Sequence, residues 1–398
     1  MARTSILRFV PLALVSLFTL ACDDRLDDAS GGSGVGGEGQ GAAGGSGGAG
    51  GGGAGLPTKE QLSAGWNELV PGGDTICSRG TPYAFFVRPG TSNKVVIDFI
   101  GGGACWNELT CGFAGAIFEE DVESVRAAIE ANQPEGFYDH ENADNPVADF
   151  WHVVIPYCTG DIHWGDNVAT YGSGDSAVTI NHKGAVNTRA VLGWVYDNFD
   201  APEQLFVTGC SAGSYGSALW SAHVMDHYPS SQVFQFGDSG AGVITQDFFE
   251  NSFPSWNATQ AFPSWIPALD PTKVDLLSLG LADLYAGIAN HEASQVLSQY
   301  NTVRDENQVF FFTAMGGSDV AAWSSQMQAS IADIETRAPN FASFTAPGEQ
   351  HCILPYANFY TVQADGVRLV DWLRGMLDGE SAPASVACQG AECDAETP

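Results

Sequence analysis

Short apolar runs alternate with longer stretches of helical periodicity from residue 84 onward. Seven runs rich in β-branched and aromatic residues predict strands, at residues 84–87, 95–100, 151–155, 205–208, 232–236, 309–313 and 341–345. Apolar positions at helical spacing predict helices at residues 183–199, from just after 213 to about 228, at 321–337 and at 358–377. Buried strands that alternate with helices are typical of a mostly parallel sheet covered on both faces, so we predict an α/β fold.

Residues 247–300 interrupt this alternation. They contain Trp256, Trp265, several prolines and two helical patterns, but no run that predicts a strand. We therefore predict a helical insertion here, on the substrate side of the sheet, which would act as a lid.

The first 22 residues have the pattern of an export signal. Arg3 and Arg8 precede an apolar stretch at 9–21, which is too short to span a bilayer as a stable anchor. Small Ala21 followed by Cys22 resembles a bacterial lipoprotein signal, in which the cysteine is lipidated and becomes the mature N-terminus. The usual leucine three residues before the cysteine is replaced by Thr19, so ordinary secretion is the alternative.

A polar and glycine-rich segment follows the signal. Residues 30–55 are almost entirely Gly, Ala and Ser, a composition that buries too little apolar surface to fold. We predict a disordered linker at 23–55, a folded domain at 56–380 and a C-terminal tail at 381–398. With a lipidated Cys22 the domain would be tethered to a membrane by its N-terminus alone, as an exported protein.

The charge balance restricts the partners. The 398 residues carry 47 Asp and Glu against 15 Lys and Arg, a formal net charge of −32. Nucleic acid is an unlikely partner, because binding it requires a basic surface. We expect a solvated, soluble surface and a monomer.

Eight cysteines remain in the exported part, an even number that suggests disulfides. Close spacing favours the pairs Cys105–Cys111 and Cys388–Cys393. The other four cysteines are assigned by elimination only, as Cys77–Cys158 and Cys210–Cys352, and their connectivity stays open. We expect no metal and no cofactor, since the chain contains no paired C-x-x-C or H-x-x-x-H framework.

Gly209-Cys210-Ser211-Ala212-Gly213 is the most informative motif of the chain. It follows a predicted strand and precedes a predicted helix, the context in which G-x-S-x-G forms a nucleophile elbow. The same spacing around Ser46 lies in the glycine-rich linker, with no strand before it. We therefore predict that Ser211 is a nucleophile.

A serine nucleophile needs a base and an acid that orients the base. In α/β-hydrolases these follow in the order Ser, Asp or Glu, His. His351, after the last predicted strand, is the predicted base. Asp319, after the predicted strand at 309–313, is the favoured acid, and Asp238, after the preceding strand, is the alternative.

The third requirement is a set of donors for the oxyanion. Gly101-Gly102-Gly103 follows a buried strand, as the oxyanion loop of esterases does. We predict Gly102, Gly103 and the amide of Ala212 as donors.

With these motifs the chain resembles the pectin acetylesterases and their relative Notum, a carboxylesterase that removes a fatty acyl group. The resemblance spans about residues 65–375 and rests on 101–107 with Cys111, 154–161 with Gly165 and Asp166, 209–213, Asp319 with Trp323 and Gln326, and His351 with Cys352. It implies an α/β-hydrolase fold, the triad Ser211, Asp319 and His351, and the same oxyanion donors.

Two departures from the family pattern concern the substrate. Ser214 stands where a second glycine is common, and Trp164 stands where the plant enzymes often have a small residue. With Trp106 and Asn107, Trp164 is a candidate for the substrate pocket.

The expected function is hydrolysis of acetyl or other short acyl esters, on a polysaccharide such as pectin, through an acyl-enzyme. Pectin is acidic, so a chain of charge −32 offers it little long-range attraction. A Notum-like deacylase of longer chains is the alternative. A third hypothesis is a non-catalytic binding protein on a hydrolase scaffold.

Overall fold

The computed structural model describes residues 55–112, 116–379 and 381–395. The predicted signal at 1–22 with Cys22, and the predicted linker up to residue 54, lie outside the described residues. No helix of the described ranges is long and apolar enough to cross a membrane.

One large sheet organises the domain. The strands are β1 (Asn67–Leu69), β2 (Phe85–Arg88), β3 (Lys94–Phe99), β4 (Trp151–Ile155), β5 (Asn167–Tyr171), β6 (Val178–His182), β7 (Gln204–Cys210), β8 (Gln232–Asp238), β9 (Val296–Thr302), β10 (Phe341–Ala346), β11 (Gln363–Ala364), β12 (Val367–Arg368) and β13 (Val386–Ala387). Nine of them form the sheet, in the order β1-β2-β4-β3-β7-β8-β9-β10-β13. The pairs β1–β2 and β2–β4 are antiparallel, and every pair from β4 to β13 is parallel. The prediction of a mostly parallel sheet is confirmed.

Helices cover both faces of this sheet. They are α1 (Glu108–Cys111), α2 (Glu123–Ala131), α3 (Gly184–Asn198), α4 (Ala212–His227), α5 (Gln246–Asn251), α6 (Leu281–His291), α7 (Glu306–Ala314), α8 (Val320–Arg337) and α9 (Leu369–Asp378). Along β3 the side chains of Val96 and Ile97 point to opposite faces, since strand side chains alternate. Ile97 belongs to the apolar cluster that contains buried residues of α3, α4, α6 and α8, and Val96 to the cluster that contains those of α9.

The structure differs from the sequence-based prediction at residues 309–313 and at 358–377. Residues 309–313, predicted as a strand, lie in α7, and the strand at this place in the sheet is β9, within the predicted insertion. β9 is fully buried although Ser298, Gln299 and Asn301 are polar. Ser298 Oγ donates to the carbonyl of Gln235, and Asn301 Nδ2 donates to Gln299 Oε1. The insertion therefore ends before β9. The predicted helix at 358–377 begins only at Leu369, after a short hairpin of β11 and β12.

Four disulfides join the eight cysteines of the described chain. They are Cys77–Cys158, Cys105–Cys111, Cys210–Cys352 and Cys388–Cys393, so all four predicted pairs are confirmed. Disulfides at this density are typical of exported proteins.

Candidate active site

Ser211 occupies a sharp turn between β7 and α4. Strand β7 ends at Cys210 and α4 begins at Ala212, so Ser211 alone makes the turn. Its φ of 58° and ψ of −122° are a conformation that residues other than glycine rarely adopt. Its N–H donates to the carbonyl of Asp238, 2.9 Å away, which fixes the turn to the neighbouring strand. This is the geometry of a nucleophile elbow.

The two glycines of the motif are required by close backbone contacts. A Cβ on Gly213 would lie 1.8 Å from the carbonyl oxygen of Phe99, and a Cβ on Gly209 would lie 2.5 Å from the same oxygen. Both distances are shorter than any van der Waals contact, so only glycine lets α4 approach the end of β3. The G-x-S-x-G spacing is therefore a packing requirement as well as a turn.

The glycine run at 101–103 lies beside this turn. A Cβ on Gly101 would be 2.8 Å from the Cβ of Ser211, and one on Gly103 would be 2.0 Å from the carbonyl oxygen of Ile117. The N–H groups of Gly102 and Gly103 donate no hydrogen bond to the described part of the chain. The amide of Ala212 has no acceptor inside α4, because it is the first helical residue. The structure thus has unused amide donors on both sides of Ser211.

His351 pairs with Asp305. Its Nδ1 lies 2.9 Å from both Oδ1 and Oδ2 of the carboxylate. Burial lowers the pKa of His351, but the charge of Asp305 and the hydrogen bond to it outweigh burial and raise that pKa above 6.5. Asp305 is itself fully buried. Such a carboxylate fixes the tautomer of the imidazole and stabilises its protonated form.

Asp305 was not predicted from the sequence. It follows β9, between the predicted insertion at 247–300 and the predicted strand at 309–313, and is the N-cap of α7, where its side chain accepts from the N–H of Gln308. Asp305-Glu306-Asn307-Gln308 before an apolar run has the spacing of a helix-capping motif. That signal could have placed a helix at 306–314 and an acid at its start.

The two predicted acids have other roles. Asp319 is the exposed N-cap of α8 and accepts from the N–H of Ala322, so the prediction that it pairs with His351 is wrong. Asp238 ends β8 in full burial, where its Oδ2 accepts from the amides of Ile353 and Leu354. Burial raises the pKa of Asp238 to about 6, although these hydrogen bonds oppose the shift. Through its hydrogen bonds, Asp238 fixes the position of the loop that follows His351.

Two further contacts fix the same loop. The N–H of Cys352 donates to Ser239 Oγ over 2.9 Å, and Cys352 is bonded to Cys210, the neighbour of Ser211. Cys352 has a φ of 62°, unusual for a residue with a side chain. The residues next to Ser211 and next to His351 are therefore covalently joined.

Ser211, Ala212, Gly103 and His351 line one cavity of about 720 Å³, counted with its open mouth. Most of the other residues that line it are apolar, and they include Phe248, Phe253 and Trp256 of the insertion, Phe311 of α7, Met315 after α7, and Trp323 of α8. Among the three predicted pocket residues, Trp106 and Trp164 line the cavity. Asn107 does not, since it is the exposed N-cap of α1.

Two groups of side chains in the described residues could bring metal ligands together. One is Cys105, Cys111 and His182, and the other is Cys210, His351 and Cys352. In both, the two cysteines are joined in a disulfide, which is not the thiolate that binds a metal.

Known proteins resemble this chain in sequence and in fold. The family model for pectinacetylesterases matches residues 70–262. No curated protein sequence matches the chain significantly. The Wnt deacylase Notum from Drosophila has a similar structure, with a TM-score of 0.58 and 16% identity over 82% of this chain and 96% of that one. The family match covers just under half of the chain, and it supports a carboxylic ester hydrolase whose fold is similar to that of Notum.

Proposed function

We propose that this protein is a serine carboxylesterase with Ser211 as nucleophile, His351 as base and Asp305 as the orienting acid. The observation that carries the proposal is the hydrogen bond between His351 and Asp305 in the loop covalently tied to the nucleophile elbow. Complete machinery of this kind counts against a non-catalytic binding protein.

In the first half of the reaction the Ser211 hydroxyl attacks the ester carbonyl as His351 Nε2 takes its proton. The oxyanion that forms is stabilised by the amides of Gly102, Gly103 and Ala212. The ester C–O bond then breaks, and the alcohol leaves with the proton from His351. In the second half, water attacks the acyl-enzyme with His351 again as base, which releases the acid and restores Ser211.

The acyl group of the substrate occupies the cavity beside Ser211. Most of the side chains that line this cavity are apolar and many are aromatic, which suits an apolar acyl chain. The aromatic lining offers no charge to a sugar, and each buried methylene of an acyl chain contributes about 0.8 kcal/mol. These features favour esters with acyl chains longer than acetyl.

A second candidate is an acetylesterase that acts on a polysaccharide such as pectin. The family match over residues 70–262 favours it, and the charge of −32 counts against an acidic polymer. A neutral acetylated glycan such as xylan avoids that objection.

The acyl-chain profile separates the two candidates. Hydrolysis of p-nitrophenyl acetate, octanoate and palmitate is compared by kcat/KM, with the Ser211→Ala variant as the control for enzyme-independent hydrolysis. We expect octanoate to exceed acetate. A maximum at acetate supports the polysaccharide candidate, and activity that survives in Ser211→Ala contradicts both.

We further propose that the enzyme is exported and anchored by a lipid on Cys22. The sequence of residues 1–22 and the four disulfides support export. Detergent-phase partitioning of the full chain tests the anchor. We expect partitioning to be lost in Cys22→Ser, and equal partitioning of both proteins would refute it.

A further inference from the structure

Asp305 has a second partner besides His351. The backbone N–H of Gln308 donates to Oδ1 over 2.9 Å, and its side-chain Nε2 donates to Oδ2 over 3.0 Å. Each oxygen of the buried carboxylate thus accepts one hydrogen bond from Gln308 in addition to its contact with His351. The orientation of the carboxylate depends on both residues.

The orientation of the Gln308 amide follows from its partners. Its Oε1 lies 2.8 Å from the N–H of Ala241, which can only donate. Its Nε2 faces Asp305 and the side-chain oxygen of Asn301, 3.1 Å away, and both oxygens accept. Only one assignment of the amide oxygen and nitrogen satisfies all three contacts. The hydrogen bonds with Ala241 and Asn301 therefore fix the Gln308 amide in the orientation in which it donates to Asp305.

The same amide connects the acid to the substrate cavity. Gln308 is one of the lining residues, and the loop that follows Ala241 contributes Val243 and Ile244 to the lining. Besides His351, Gln308 is the one residue of the cavity lining that donates a hydrogen bond to Asp305 within the described chain. Gln308 therefore contacts both the interior of the cavity and the carboxylate of Asp305.

We propose that Gln308 is a positioning residue that sets the orientation of Asp305, and through it of His351, relative to the bound acyl group. This inference rests on the proposed mechanism through Ser211, His351 and Asp305. Gln308 does not touch the reacting atoms in it. Loss of one hydrogen bond to a charged group corresponds to about a ten- to hundredfold change.

Two substitutions of similar size test the proposal. Gln308→Met removes both the donor and the acceptor of the side chain. Gln308→Glu keeps an acceptor for Ala241 but places a second carboxyl group against Asp305. Gln326→Met, at an exposed glutamine on α8, is the matched control. The charged groups that act on His351 are Asp305, Asp238 and Glu306, and all three remain in each variant.

We expect Gln308→Met to lower kcat for p-nitrophenyl acetate by about ten- to hundredfold with little change in KM. The acid limb of its pH profile moves to higher pH, because an Asp305 with one partner fewer binds the His351 proton more tightly. In Gln308→Glu one proton stays on the carboxyl pair at low pH and replaces the lost donor. When this shared proton dissociates at higher pH, kcat of Gln308→Glu should fall, which adds a descending limb to its pH profile that the wild-type profile lacks.

A purely structural role gives a different result. Equal kcat and equal pH profiles for wild type and both folded Gln308 variants overturn the inference. So does a loss of kcat in which neither pH profile changes. If Gln308→Met does not fold, the descending limb in Gln308→Glu decides alone. Ser211→Ala tests the proposed esterase mechanism independently of Gln308. Its inactivity supports that mechanism whatever the result for the Gln308 variants.

Discussion

Asp305 and His351, 46 residues apart in sequence, form the ion pair of the candidate site, with Nδ1 at 2.9 Å from each carboxylate oxygen. The two residues follow adjacent parallel strands, β9 and β10. The carboxyl ends of parallel strands meet at one edge of a sheet, which brings the acid and the base together.

Substitution of the acid is expected to have the largest effect of any aspartate change. Asp305→Asn leaves the shape but removes the charge that orients and stabilises His351, so kcat should fall by about 10³–10⁴-fold. Asp319→Asn keeps an oxygen that can cap α8 and removes only an exposed charge, so kcat should stay within about threefold of wild type. The kcat values for p-nitrophenyl acetate check this, and a larger loss for Asp319→Asn than for Asp305→Asn would restore Asp319 as the acid.

The pH profile of kcat/KM should follow the His351–Asp305 pair. The base acts only when neutral, and Asp305 raises the pKa of His351, so the acid limb should lie above pH 6.5. Asp305→Asn leaves burial as the main influence on that pKa, and the limb should move to lower pH while the rate falls. An acid limb at the same pH in both proteins would contradict the pairing.

Asp238 should affect stability more than catalysis. Burial raises its pKa from 3.8 to about 6, so the folded state binds more protons than the unfolded state between these values. Its contribution to the free energy of unfolding is therefore present below about pH 4 and is lost as the pH rises to 6, a difference of roughly 3 kcal/mol.

Asp238→Asn keeps an oxygen for the amides of Ile353 and Leu354 and has no such titration. Urea unfolding at pH 4 and pH 8 measures the free energy of unfolding of both proteins. Relative to wild type, the variant should be more stable at pH 8 than at pH 4 by that amount. A constant difference between the two proteins would show that Asp238 does not titrate in this range.

The disulfide beside the site should contribute mainly to stability. Cys210–Cys352 spans 142 residues, and replacing both cysteines with serine should lower the free energy of unfolding by about 2–5 kcal/mol. Since Asp238 and Ser239 still bind the loop, kcat at 25 °C should remain within about tenfold.

The double serine variant of Cys388–Cys393, which closes only a short loop, is the control and should lose less. Chemical denaturation and p-nitrophenyl acetate turnover measure both properties. Equal losses of stability in the two variants would contradict the role assigned to the longer loop.

The positions of Ser211 and His351 in the fold could be predicted because their signals are local. Ser211 lies between a strand and a helix whose contact demands two glycines at fixed spacing, and His351 follows the last apolar strand. The order of the elements then limits where a base can lie.

The acid could not be placed by hydrophobicity. Strand β9 contains the polar residues Ser298, Gln299 and Asn301, and the buried Ser298 hydroxyl donates to the carbonyl of Gln235, 63 residues away in the sequence. The apolar run in residues 309–312 satisfies a strand pattern, but the cap at Asp305 makes it helical. Short apolar runs do not distinguish a strand from a helix, and here the cap decides.

Cys210–Cys352 also determines how the molecule would respond to cleavage of its chain. Lys273, with 60% of its side chain exposed, lies in the insertion between Ser211 and His351. A tryptic cut there separates the nucleophile from the base in sequence, and of the four described disulfides only Cys210–Cys352 joins the two pieces. The nicked enzyme would run as one species on a non-reducing gel and as two after reduction, with its nucleophile and its base still linked until the reductant is added.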